Sequence, residues 1–128
     1  MNNEEIMTGV ELEIILKAGK ILLSSGAEIS RTEDTMNYIA RAMNFKDLEA
    51  YVSNRGIFAT AKKADGTEIT RIYNVPEVDI NLSKIESVNA LSRRITQKNI
   101  TIEEIESEHN QIDTMSDYSF FWRLIAYT

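Results

Sequence analysis

Leu48-Glu49-Ala50-Tyr51-Val52-Ser53-Asn54-Arg55-Gly56-Ile57-Phe58-Ala59-Thr60-Ala61-Lys62 is the stretch that decides the fold, because the hydrophobic period changes within it. Leu48, Ala50 and Val52 alternate with Glu49, Tyr51 and Ser53, which is the two-residue period of a half-buried strand. Asn54-Arg55-Gly56 reads as a turn and Ile57 to Lys62 as a second strand. Asp65-Gly66 is a strong hairpin signal and leads into a third strand, Glu68 to Val75. Pro76 has no N–H to donate and stops it. The middle of the chain is therefore an antiparallel meander of three strands.

On both sides of the meander the period is helical. From Val10 to Ser25, Ile14, Ile15, Ala18, Ile21 and Leu22 form an apolar stripe, which Leu12, Leu16 and Leu23 widen. This helix is expected to be buried on more than one side. Gly26 follows it, where a left-handed C-cap favours a residue without Cβ. Ser30-Arg31-Thr32-Glu33 has the pattern of a capping box, with Ser30 as N-cap and Glu33 three residues on. Met36, Ile39, Ala40 and Met43 then define one face of a second helix. After the strands, Leu82, Ile85, Val88, Leu91 and Ile95 share a face, with Asn81 or Asp79 as N-cap. Thr101-Ile102-Glu103-Glu104 opens a short acidic helix through Ile105 and Ile112. The order ααβββαα predicts an α+β fold, with helices covering one face of the sheet.

A chain of 128 residues fits one domain, and an apolar fraction of 43% is ordinary for a globular protein. No cysteine is present, which removes disulfides, zinc-thiolate sites and thiol nucleophiles. A single histidine, His109, rules out a multi-histidine metal site and is expected on a solvated helix surface. A net charge of −6 argues against nucleic acid as a partner, since phosphate neutralisation needs a positive surface. The N-terminus is acidic where a secretory signal would be basic, and no segment reaches the ~20 apolar residues of a membrane span. No P-loop, dinucleotide fingerprint or nucleophile elbow is found, so neither a cofactor nor a metal is expected.

The densest chemistry lies in Gly26-Ala27-Glu28-Ile29-Ser30-Arg31-Thr32-Glu33-Asp34-Thr35. Capping and the helix dipole account for Ser30, Glu33 and Asp34, and Glu28 can pair locally with Arg31. The same residues can also serve a ligand. Free N–H groups and Arg31 would hold a carboxylate, while Glu28, Glu33 or Asp34 would hold an ammonium. That would suit an amino acid or small organic acid. Glu33 and Asp34 are the candidates for acid–base work. Arg71, Asn81, Asn89 and Arg93 are further polar candidates. At the far end, residues 118–127 hold five aromatics in ten positions, Tyr118, Phe120, Phe121, Trp122 and Tyr127. This run reads either as a terminal segment docked on the core or as an aromatic belt heading a membrane helix.

Several segments, in order, resemble the N-terminal domain of the threonine/serine exporter (ThrE-type) family of membrane transporters. They are Ala18-Gly19-Lys20-Ile21-Leu22-Leu23, Gly26-Ala27-Glu28 and Arg31-Thr32-Glu33-Asp34-Thr35. Ser53-Asn54-Arg55-Gly56-Ile57-Phe58, Thr70-Arg71-Ile72, Ile80-Asn81-Leu82-Ser83-Lys84-Ile85 and Val88-Asn89-Ala90-Leu91-Ser92-Arg93-Arg94 continue the pattern. The resemblance implies a cytoplasmic domain, residues 1–115, that precedes a bundle of transmembrane helices in an exporter of small amino acids or related carboxylates. Residues 116–128 would then begin a truncated membrane segment. The polar positions it singles out are Glu28, Arg31, Glu33, Asp34, Thr35, Arg71, Asn81, Asn89 and Arg93. Three functions follow as expectations. The first is an accessory domain that binds substrate or gates its path, with the membrane bundle as partner. The second is a hydrolase-like enzyme acting on a small amide or ester through Glu33 and Asp34, and the third is a homo-oligomerisation module.

Overall fold

The structure is a computed structural model that describes residues 3–75 and 78–114. Pro76 and the aromatic run 118–127 lie outside the described residues. The element order is α1 (Asn3–Ser24), α2 (Ile29–Ala42), β1 (Phe45–Ser53), β2 (Gly56–Lys63), β3 (Glu68–Asn74), α3 (Leu82–Thr96) and α4 (Ile102–Asp113). The three strands form an antiparallel sheet in the order β1-β2-β3. The α+β architecture ααβββαα is the one expected from the period changes.

Helix α1 is the centre of the molecule. Its width of apolar surface leaves no single outward face, and Leu12, Ile15, Leu16, Ala18, Ile21 and Leu22 are fully buried. It packs against α2, α3 and α4 as well as strands β2 and β3. The helix begins seven residues earlier than the apolar stripe predicts, at Asn3. Gly19 sets how closely its neighbours approach. A Cβ there would lie 2.6 Å from Met36 Sδ on α2 and 3.1 Å from Ile57 Cδ1 on β2. Strand β2 presents Ile57, Ala59 and Ala61 to the helices, all buried. The opposite face carries Tyr51, Phe58 and Ile72 in register across the three strands, all exposed.

The end of α1 is closed by backbone bonds. Gly26 takes φ +96°, its N–H donates to Leu23 O, and Ala27 N–H reaches back to Leu22 O. The remaining carbonyls of Ser24 and Ser25 accept from Asp79 N–H (2.8 Å) and Asn81 N–H (2.9 Å) in the loop before α3. The α1–α2 turn and the start of α3 are thereby joined at one end of the domain.

Three expectations are corrected. Ser30 is not an N-cap: α2 starts at Ile29, Glu28 holds the N-cap position without a side-chain bond, and no acidic residue lies in the first turn. The Thr32 hydroxyl, fully buried, donates to Glu28 O (3.0 Å), the carbonyl that its own amide also reaches, so it bonds back along the helix and caps no free N–H. Leu82 does not join the core face of α3, because it sits at the first position of the helix and is 69% exposed. His109 is not solvated, being 1% exposed beneath α1 on the inner side of α4.

Neither ring nitrogen of His109 has a hydrogen-bond partner among the described residues. Burial, and then the Lys17 ammonium on α1, push the imidazole down to about 4, against the opposing Asp113 carboxylate. A folded pKa below the unfolded value means that the unfolded chain takes up the proton first. The stability tied to neutral His109 is thus complete above about pH 6.5 and falls as the pH drops towards 4. The loss should approach about 3 kcal/mol, by the linkage of pKa to stability. Urea unfolding at pH 7.5 and 4.5 measures it, and His109→Leu should flatten that part of the profile. Gly19→Val should cost about 2–3 kcal/mol through overpacking against Met36 and Ile57, read as a lower urea midpoint at unchanged slope.

Candidate functional site

Helix α2 separates its two faces sharply. Thr32, Met36, Ile39 and Ala40 are buried against the core. Arg31, Asp34, Tyr38 and Arg41 follow one another at spacings of three and four residues, so they share the opposite face, and all four are exposed. The Arg41 guanidinium lies 5.9 Å from the centre of the Tyr38 ring, which holds it along the helix. Beyond α2 the chain turns at Met43 and Asn44, the latter at φ 65°, and strand β1 comes back beside the helix. Between them is an open hollow of about 450 Å³, lined by Asp34, Asn37, Tyr38, Arg41, Lys46 and Asp47, among others.

This hollow carries both signs of charge. Asp34 and Asp47 supply carboxylates, and Arg41 and Lys46 supply cations. Only Asp34 among these was marked by the sequence pattern. Asn37 and Arg41, at i+3 and i+7 from Asp34, were recoverable from helical periodicity alone. Lys46 and Asp47 were not, since their position depends on how β1 packs on α2.

The other sequence candidates divide among separate places. Glu28 is exposed at the α2 N-cap, and its carbonyl accepts the Thr32 amide and hydroxyl. The Thr35 hydroxyl donates to Arg31 O (3.0 Å) within the helix. Asn81 is buried near this end, where its side-chain oxygen accepts the Lys84 amide (3.1 Å) and caps α3. Arg71 is remote from all of these. It lies on the helix-facing side of β3 and pairs with Glu13 of α1 at 3.5 Å, next to the hydrogen bond between Tyr73 and the same glutamate. Asn89 and Arg93 line a second hollow, about 500 Å³, along α3 with Ser83 and Glu86.

Glu33 and Asp34 do not converge. Adjacent residues on a helix point about 100° apart, and only Asp34 lines the α2–β1 hollow. Among the described residues, no group of three or more His, Asp or Glu side chains is arranged to hold a metal ion. Nor, among those residues, is any helix long and apolar enough to cross a membrane.

Residues 13–128 match the family model ThrE, described as putative threonine/serine exporter. The chain belongs to the ThrE family. That membership, over nearly the whole chain, ties it to threonine/serine export and to the setting of a membrane transporter. No curated protein and no solved structure matches the chain.

Asn81 offers a direct separation of capping from ligand binding. Asn81→Ala should cost about 1 kcal/mol of stability by loss of the Lys84 bond, and Asn81→Asp should keep it, both read by thermal or urea unfolding.

Proposed function

We propose that this domain is the cytoplasmic accessory part of a small-amino-acid exporter and that the hollow between α2 and β1 takes the amino acid. The observation that carries the reading is the pairing of charges in that hollow: Arg41 and Lys46 suit a carboxylate, and Asp34 and Asp47 suit an ammonium. A zwitterionic amino acid presents both groups within a few ångströms of each other. Arg31 continues the same exposed face one turn towards the helix start and would add to the attraction for a carboxylate. The family of exporters to which the chain belongs supports threonine or serine as the ligand. The absence of cysteine suits a reducing, cytoplasmic setting. The partner in this reading is the membrane-embedded part of the transporter.

Hydrolysis finds less support in the geometry, because Glu33 and Asp34 face different directions and no serine or threonine is among the described residues that line the hollow. Calorimetric titration of the 128-residue chain with threonine, serine and a dicarboxylate tests the binding. Saturable heat with the amino acids is expected, lost in Asp34→Asn and in Arg41→Ala. Silence with every compound, together with undiminished export by a transporter carrying Arg41→Ala, would overturn the proposal.

A further inference from the structure

Strand β3 is an open edge of the sheet. At its two ends Lys63 N–H donates to Thr67 O (2.9 Å) and Val75 N–H to Arg55 O (2.8 Å). The register between these bonds is unbroken, so Ile69, Arg71 and Tyr73 are the β3 residues that bond to β2. Glu68, Thr70, Ile72 and Asn74 therefore turn their N–H and C=O groups away from the sheet. Thr70 O accepts Arg71 Nη1 at 3.0 Å and keeps its second lone pair. The other edge, β1, is protected, because its register is broken between Phe45 and Asp47 and α2 packs against it. The β3 register has no such break.

The apolar row of the outer face runs out to this edge. Tyr51, Phe58 and Ile72 are 71%, 40% and 67% exposed, and Ile72 is the member on β3. We infer that β3 pairs antiparallel with β3 of a second copy of this chain, about a two-fold axis through Ile72, joining two three-stranded sheets into one. The side chains of β3 select both partner and register. A two-fold axis normal to the sheet keeps outer-face residues opposite outer-face residues, and near the middle of the strand it can pass through Thr70, Arg71 or Ile72. An axis at Arg71 sets two guanidiniums against each other, and one at Thr70 sets Ile72 opposite the Glu68 carboxylate. An axis at Ile72 has neither fault. Ile72 then meets its own copy, Thr70 faces Asn74, and all of these exchange their free N–H and C=O groups. Arg71 faces Tyr73 of the second copy, whose hydroxyl bonds to Glu13, and so approaches a second carboxylate. The apolar row runs unbroken across both sheets, from one Tyr51 to the other. The α2–β1 hollows lie at the far edges, so the pairing stands whether or not they bind an amino acid.

The 128-residue chain has no cysteine, so a single introduced thiol reports on its own position alone. In Ile72→Cys the paired α-carbons would be about 5.5 Å apart, within disulfide range. Mild oxidation should give a covalent dimer on non-reducing electrophoresis. Thr70→Cys should give none, because its copy would lie roughly 13 Å away along the strands. Light scattering should show a dimer mass for the unaltered chain and a monomer mass for Ile72→Pro at the same concentration. That proline removes an N–H aimed at the open edge and costs no bond to β2. An unchanged circular dichroism spectrum confirms the fold, and the two cysteine variants decide by themselves where the proline disturbs it. Tyr51→Lys, far from the axis, should stay dimeric. A monomeric wild type, a dimer that survives Ile72→Pro, or crosslinking of Thr70→Cys as fast as that of Ile72→Cys overturns the inference. Loss of the dimer in Tyr51→Lys would also overturn it, by assigning the contact to outer sheet faces packed on each other.

Discussion

The burial of α1 on nearly every side is the constraint on which the rest of the structure depends. A helix with apolar residues around most of its circumference must be surrounded, and among the described residues three helices and one sheet surround it. Gly19 lets α2 and β2 close onto it at once. The polar groups admitted to its surface are matched from other elements: Glu11 with Lys63 (2.6 Å), and Glu13 with Arg71 and Tyr73. Each of these ties the sheet to the central helix, and this is why Arg71 belongs to the scaffold rather than to the hollow.

The hollow follows from the same packing. Once Met36, Ile39 and Ala40 are committed to α1, helical geometry leaves Arg31, Asp34, Tyr38 and Arg41 facing outwards. The short connection at Met43 and Asn44 then brings β1 back beside that outward face, adding Lys46 and Asp47. A polar face that would otherwise be solvated becomes one wall of a cleft.

His109 shows where reading by residue type fails. A histidine in an acidic helix, among Glu104, Glu106 and Glu108, carries the composition of a solvated face. Yet it lies at i+4 from Ile105 and i−3 from Ile112, on the stripe that packs inwards, and so it is buried, with neither nitrogen paired among the described residues. Periodicity carried the signal, and composition masked it. The misplaced cap at Ser30 has a similar origin. The capping-box pattern was present, but the bond from Thr32 to Glu28 O and the tight closure at Gly26 allow the helix to start two residues earlier.

The sequence by itself determined the elements, their order and the antiparallel meander, because the change of period at Leu48 and the signals at Gly26, Asp65-Gly66, Asn81 and Thr101 are local. It also carried the family pattern. Tertiary structure alone decided which polar residues meet. Nine candidate positions, close to one another in type and motif, separate into the α2 face, the α3 cap, the α3 hollow and the α1–β3 pairing. The physical reason is that a side chain's neighbours across elements depend on packing distance and register. Neither can be read from spacing within a single element.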